Sequence, residues 1–265
     1  MSTRTRTDEA LQGHWLLARL GKRVLRPGGV HLTRRMLALA QIDGKDVIEL
    51  APGLGRTAAE IIDCGSRSYL GVEQDRDAAR AVGAVVAGRG EVVTADASHT
   101  GLPEASADIV IGEAMLTMQS DHAKRAIIAE AARLLRPGGC YALHELALSP
   151  DELADETKSA IRQAMARAIK VNARPLTVAE WSAALSEHGL VVEHVQTAPM
   201  ALLQPRRIVA DEGVAGALRF ARNLLLHRTA RRRVLQMRQT FHTHRDRLCA
   251  VAIVARKPDR PVNTP

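Results

Sequence analysis

The chain has 265 residues, 46% of them hydrophobic and 25% charged, which suits one large core with, at most, an added lid. No apolar run approaches the length of a membrane span, and residues 1–8 have no apolar segment of signal-peptide type behind them, so a cytoplasmic location is expected. The formal net charge of +8 hints at nucleic acid, but aromatic residues are only 2%, which weighs against stacking on bases and against an aromatic cage.

The charge is uneven. From Ala198 to the end there are 14 Lys and Arg against 4 Asp and Glu, and the rest of the chain is slightly acidic. Residues 9–20 place Leu11, Trp15, Leu16 and Leu20 near helical spacing, which predicts a first helix. Arg26-Pro27-Gly28-Gly29 is a turn by its chemistry, and a second helix is expected over residues 30–40. From residue 46 to about 147, apolar runs alternate with helix-like stretches. Strands are expected at 47–50, 68–72, 91–95, 108–112 and 140–144, and helices at 56–64, 76–87 and 121–135. That alternation predicts a parallel sheet covered by helices on both faces, with right-handed crossovers. Residues 151–170 read as a charged amphipathic helix, 177–188 as a further helix and 190–195 as a sixth strand. About fifty mostly helical residues then precede the apolar run 247–257, expected as a final strand, with a frayed tail from Pro258. Leu-Arg-Pro-Gly-Gly occurs at 25–29 and again at 135–139, but without similarity on either side, so two separate turns are the simpler account. Cys64, Cys140 and Cys249 stand singly, with no CxxC or Cys/His cluster for zinc, and are expected as buried reduced thiols; no metal site is expected.

The most informative stretch is Val47-Ile48-Glu49-Leu50-Ala51-Pro52-Gly53-Leu54-Gly55, which reads as strand, tight turn and helix start. Glycines there allow positive φ and close approach of a ligand to the main chain, and the helix N-terminus offers unpaired N–H groups. Glu73 ends the next apolar run, at a distance where a carboxylate can accept both hydroxyls of a ribose. The Gly53 to Ala58 match to Gly-x-Gly-x-x-Ala, taken alone, fits a nicotinamide or flavin binder equally well.

The order of the other features separates these readings. Glu49-x-Ala51-x-Gly53-x-Gly55, Glu73 after the second strand, Asp96 after the third, Leu102-Pro103 before a fourth strand ending in Gly112-Glu113-Ala114, and Leu134-Leu135-Arg136-Pro137-Gly138-Gly139 before the fifth together resemble a class I S-adenosylmethionine-dependent methyltransferase. The resemblance covers residues 30–195 and is closest to the small-molecule branch that includes the ubiquinone and menaquinone C-methyltransferases. It implies a Rossmann-like α/β fold: a seven-stranded, mostly parallel sheet with the last strand antiparallel beside the fifth. The expected organisation is an N-terminal helical cap (1–40), a core (41–197 and 247–257) with a helical insertion at 150–176, and a basic helical lid (198–246). The resemblance also implies site roles. Gly53 and Gly55, with Ala51 where many members have a first glycine, would let the main chain approach the methionine part and ribose. Glu49 would organise that loop or meet the cofactor's ammonium. Glu73, with Gln74 adjacent, would take the ribose hydroxyls, and Asp96, with Ala97 nearby, the adenine amino group. Each acid has a plainer reading as a helix cap or surface group at a strand end.

Methyl transfer from a sulfonium is an in-line displacement, in which a base is needed only when the acceptor must lose a proton. Glu113 and the pair His144-Glu145, at the ends of the fourth and fifth strands, are the candidates, and His144 is the group that would titrate near neutrality. Glu113 is alternatively a cofactor-orienting residue, and His144 a hydrogen-bonded strand-end histidine. Arg26 and Thr33 either cover the methionine end or are part of a turn and a helix cap, and Met115, Leu116 and Met118 form either an apolar pocket wall or the core side of a loop. The arginines of 205–246 read either as a solvated face or as a lid meeting an acidic substrate, a phosphate or an anionic membrane at its periphery. Leu218, Phe220, Leu224, Leu225 and Leu226 give that lid an apolar side expected to dock on the core. Elements typical of nucleic-acid and arginine methylation are absent, so a small-molecule acceptor, apolar or acidic, is expected and no nucleic-acid partner. The competing readings are an NAD-dependent oxidoreductase and a non-catalytic S-adenosylmethionine-binding or RNA-binding protein.

Overall fold

The computed structural model describes residues 11–259. Residues 9 and 10 of the first expected helix, and 260–265 of the expected tail, lie outside the described residues. The core is one sheet in the order β3-β2-β1-β4-β5-β8-β7. Its strands are β1 (Asp46–Leu50), β2 (Ser68–Glu73), β3 (Glu91–Thr94), β4 (Ala107–Glu113), β5 (Leu135–Leu148), β7 (Val191–Pro199) and β8 (Leu248–Arg256). β1 to β5 run parallel, and β8 enters antiparallel between β5 and β7. This is the expected Rossmann-like sheet, with one addition: the two-residue strand β6 (Leu176–Thr177) pairs with the far end of β5. So short a pairing leaves no periodic signal in a sequence.

Side-chain alternation sorts the strands onto two faces. Ile48, Leu50, Val110, Tyr141, Leu143, Val251 and Ile253 pack with α5 (Asp121–Leu134) and α7 (Val178–Ser186), around the fully buried Trp181. Val47, Ile109, Ile111, Ala142, Ala250 and Val254 pack with α2 (Gly29–Ala40), α3 (Arg56–Asp63) and α4 (Arg76–Val86). Helix starts follow local chemistry. Asp75 caps α4 by accepting from the Asp77 and Ala78 N–H groups, and Thr177 and Glu180 form a capping box on α7. The expected helix from 151 starts only at Asp155, because the Asp151 carboxylate instead accepts the Ala179 N–H at the start of α7 (3.0 Å).

The predicted Arg136–Gly139 turn is absorbed into β5 as an irregularity in its pairing with β4. Gly139 allows it, since a Cβ there would lie 2.7 Å from the Asp108 carbonyl oxygen. Arg136 Nη1 bonds Asp108 (2.7 Å) and Asp46 (3.0 Å), tying the amino ends of β1, β4 and β5 together. A third apolar cluster sits over the opposite, carboxyl edge. There α1 (Gly13–Arg19), α6 (Asp155–Ile169), α8 (Pro205–Leu226, kinked at Gly213) and α9 (Arg228–Thr243) pack on Leu146, Leu148 and Leu248. Two expectations are corrected. Of the cysteines only Cys140 is fully buried; Cys64, at the end of α3, is exposed. Leu218, Leu225 and Leu226 do not dock on the core but are 66%, 68% and 69% exposed, while Phe220 is the buried residue of that set.

Candidate active site

The strand order reverses at β1. From it the chain passes to β2 on one side, and its other neighbour is β4, so a crevice opens at the carboxyl ends of β1 and β4. The loop after β1 holds Ala51, Gly53 and Gly55 at positive φ (54°, 59° and 71°). A Cβ on Gly53 would meet nothing closer than 3.9 Å, so its bare backbone faces open space. Gly55 serves another purpose: a Cβ there would press on Val85 of α4 at 3.3 Å. No side chain among the described residues caps α3, which leaves its first-turn N–H groups for a ligand or water. Glu73, at the end of β2, fixes the loop. Its two oxygens accept the N–H groups of Gly53 (3.0 Å) and Asp75 (3.1 Å).

A cleft of about 240 Å³ follows this loop. Glu49, Ala51, Gly53, Glu73 and Glu113 are among its walls, joined by Arg26, Thr57, Met115 and Met118. Gly55, Gln74, Asp96 and Ala97 are not. Gln74 and Asp96 lie exposed beyond the ends of β2 and β3, within 3.3 Å of one another. Asp96 is turned onto the Ser98 hydroxyl (2.7 Å) and N–H (2.8 Å), and those bonds hold its carboxyl below the usual range.

Behind the cleft lies a buried polar knot centred on Glu113. One carboxylate oxygen accepts from Arg26 Nη1 (2.6 Å) and the Thr57 hydroxyl; the other from His144 Nδ1 (2.6 Å) and the Thr33 hydroxyl. Burial alone would raise the Glu113 carboxyl, but Arg26, His144 and Thr33 outweigh it and hold it down at about 2. Glu113 is therefore an ionised, saturated acceptor. Glu49, 2% exposed, has a single hydrogen-bond partner among the described residues, the Tyr69 hydroxyl (2.6 Å), and faces the charges of Glu113 and Glu73; burial first, then those like charges, push it up to about 8.

The expected bases are each engaged in hydrogen bonds: Glu113 lines the cleft, while His144 and Glu145 are fully buried. His144 is fully buried and lines neither cleft. Its Nδ1 is taken by Glu113, and its Nε2, without a partner, is closed off behind Gly28, whose Cβ position would lie 3.2 Å away. Glu145 accepts the N–H groups of Met115 (2.8 Å), Leu116 (2.6 Å) and Thr117 (3.1 Å), together with the Thr117 hydroxyl (2.6 Å); it shapes the short 3-10 turn Leu116–Met118.

A second chamber, of about 100 Å³, adjoins the first and shares His14, Leu25, Ala114 and Met118 with it. Its other walls are mostly apolar side chains brought from distant segments: Leu17, Leu146, Met165, Met200, Met237 and Phe241 among them. His14, on α1, stands where the two spaces meet, its ring 5.2 Å from that of Trp15, and burial lowers its pKa. Sequence reasoning missed His14, since a lone histidine in a short amphipathic helix carries no motif. Met118 was expected as an apolar wall residue, but Met165, Met200 and Met237 were not, because they converge on it only when distant segments pack together.

Residues 47–139 match the methyltransferase-domain family. An uncharacterized protein of Haemophilus influenzae is 33% identical over 251 residues, 92% of this chain and 98% of that protein. The phosphoethanolamine N-methyltransferase 2 of Haemonchus contortus, solved with S-adenosyl-L-methionine, superposes with a TM-score of 0.68 at 15% identity, covering 96% of this chain and 58% of that one. The cyclase SpnF superposes at 0.69 with 13% identity, over 94% and 97%.

Proposed function

Because the chain belongs to the class I S-adenosylmethionine-dependent methyltransferases, we propose that its acceptor is a small, mainly apolar molecule held in the methionine-lined chamber. The observation that carries this reading is the wall shared by the chamber and the cofactor cleft: His14, Leu25, Ala114 and Met118 border both. An acceptor in the chamber would face the place where the cofactor's reactive end must come.

The cleft suits S-adenosylmethionine by its own groups: a bare Gly53 backbone, an uncapped helix start, and the carboxyl of Glu49, which among the described residues bonds Tyr69 alone. We assign the methionine end to Glu49, Ala51 and Gly53, the ribose to Glu73 with Gln74, and the adenine amino group to Asp96 with Ala97. Gly55 supports the loop through α4. When bound, the cofactor supplies an electrophilic methyl group on a sulfonium. The chain contributes alignment and exclusion of water. Glu113 and His144 act as a positioning pair: they hold Arg26 and Thr57 against the cleft. For an acceptor that must lose a proton, His14 is the group placed to take it, as a neutral imidazole whose lowered pKa keeps it unprotonated at neutral pH.

One fold hosts several reactions, as SpnF illustrates, so the test separates binding from chemistry. Calorimetry with S-adenosylhomocysteine measures the cleft, and S-adenosylhomocysteine release is followed over a panel of hydroxylated aromatics and charged amines. Met165→Trp, which fills the chamber, is expected to abolish turnover and leave S-adenosylhomocysteine affinity within about threefold. Turnover confined to charged amines, or undiminished in Met165→Trp, would refute the apolar acceptor. With a hydroxyl acceptor, His14→Gln is expected to lower kcat by about 10²-fold or more and to remove the acid limb of its pH profile.

A further inference from the structure

Six of the eleven exposed large apolar side chains among the described residues lie on α8 and α9: Val209, Val214, Leu218, Leu225, Leu226 and Leu235. Beyond the kink at Gly213, Val214, Leu218, Ala221 and Leu225 fall on one helical face. Arg219, Arg222, Arg228, Arg232 and Arg238 are exposed on the same two helices. The only acids there, Asp211 and Glu212, are turned inward onto the buried Lys22 (3.7 and 3.5 Å), and Glu212 also accepts the Arg23 and Val24 N–H groups. The outer face therefore presents positive charge and bare leucine together.

We propose that the α8–α9 face seats this enzyme on an anionic lipid bilayer. Apolar side chains about two-thirds exposed among arginines match an interfacial helix, which buries its apolar side among acyl chains while its cations meet the headgroups. A merely solvated face has no use for the leucines. A second copy of this chain pairing through the same face would meet it with like charge. Single-stranded nucleic acid would need stacking platforms, and both aromatic residues of these helices, Phe220 and Phe241, are buried.

A groove that opens on this same face agrees. An apolar groove of about 350 Å³ runs between α8 and α9 past Ile208, Leu224 and Val234. It shares Leu203, Pro205 and Arg238 with a neighbouring cleft, which in turn shares Met200, Leu202 and Phe241 with the acceptor chamber. For an apolar acceptor dissolved in the bilayer, these adjoining spaces line up between the docked face and the site. This last point rests on the proposed acceptor class; the docking itself does not.

The experiment is flotation of the full-length protein with vesicles of phosphatidylglycerol and phosphatidylcholine, beside vesicles of phosphatidylcholine alone. Binding is expected to the anionic vesicles only, to fall with added salt, and to weaken about fivefold for each of Arg222→Ser and Arg228→Ser. The double variant Leu218→Asp/Leu225→Asp is expected to lose at least tenfold in vesicle binding. Its thermal unfolding and its S-adenosylhomocysteine affinity should be unchanged, which separates docking from both folding and the cofactor site. No binding to anionic vesicles, equal binding to neutral ones, or an unaltered double variant each overturns the proposal. So does a wild-type dimer, or a complex with RNA, that the double variant dissolves while vesicles go unbound.

Discussion

Replacing Glu113 by glutamine tests the buried knot directly. The side chain keeps its shape but loses its charge, and its amide nitrogen must then face donors on one side: either Arg26 and Thr57, or Thr33 and His144. Arg26, 5% exposed, would keep only Glu60 at 3.4 Å as an anionic partner. Two routes give the cost. Removing one member of a buried, hydrogen-bonded ion pair typically costs about 3–5 kcal/mol. By linkage, a carboxyl held at about 2 instead of 4.5 contributes about 3 kcal/mol at neutral pH. The sign follows from the direction of the shift. A depressed carboxyl stabilises the fold above its unfolded pKa of 4.5, and that contribution drains away as pH falls toward about 2. Urea denaturation, followed by fluorescence, should therefore show Glu113→Gln less stable by about 3 kcal/mol at pH 7, with the gap less than half as large near pH 3. A gap under about 1 kcal/mol at pH 7, or one that does not shrink in acid, would refute the claim that an ionised Glu113 holds the site together.

Glu49 should behave in the opposite way. Its carboxyl is pushed up to about 8, so its contribution is complete below about pH 4.5 and is lost as pH rises toward 8. Glu49→Gln is expected to stabilise the unliganded protein by roughly 3 kcal/mol more at pH 8 than at pH 5, while weakening S-adenosylhomocysteine binding; equal effects at both pH values in a thermal-melt series would count against the buried, protonated acid. Gly28→Ala should cost more than about 2 kcal/mol, since φ is 74° and the new Cβ would lie 2.7 Å from Leu32 and 2.8 Å from Ala250. Gly189→Ala, with φ 73° and nothing within 4 Å, should cost only about 1 kcal/mol; similar losses in urea titrations of the two would show that crowding at Gly28 is unimportant. Thr177→Ala removes one half of the α7 capping box and should lower stability by about 1 kcal/mol, with faster hydrogen exchange at the start of α7.

The core was legible because each of its signals is local. The strand β1, its glycine turn and α3 are contiguous, so apolar period and turn chemistry suffice to place them. The acids at the ends of β1, β2, β3 and β4 follow from strand ends in a parallel sheet, which brings their carboxyl edges together whatever the loops do. The two-residue β6 and the bulge in β5 escaped, since pairing with a distant strand, not local period, creates them.

The site divides along the same line. Sequence alone determined the sheet and its topological crevice, because their signals are local, and the resemblance carried by the ordered motifs between residues 49 and 139 pointed to the methyl donor. Only the tertiary structure decided which side chains do what within that frame. Packing buried His144 behind Gly28 and saturated Glu113 with Arg26, Thr33, Thr57 and His144, partners 31 to 87 positions away. It also carried His14 of α1 to the junction of the two spaces and left the leucines of α8 facing outward. Hydrophobic period tells that a helix has an apolar side; which surface that side meets is settled by the packing of segments two hundred residues apart.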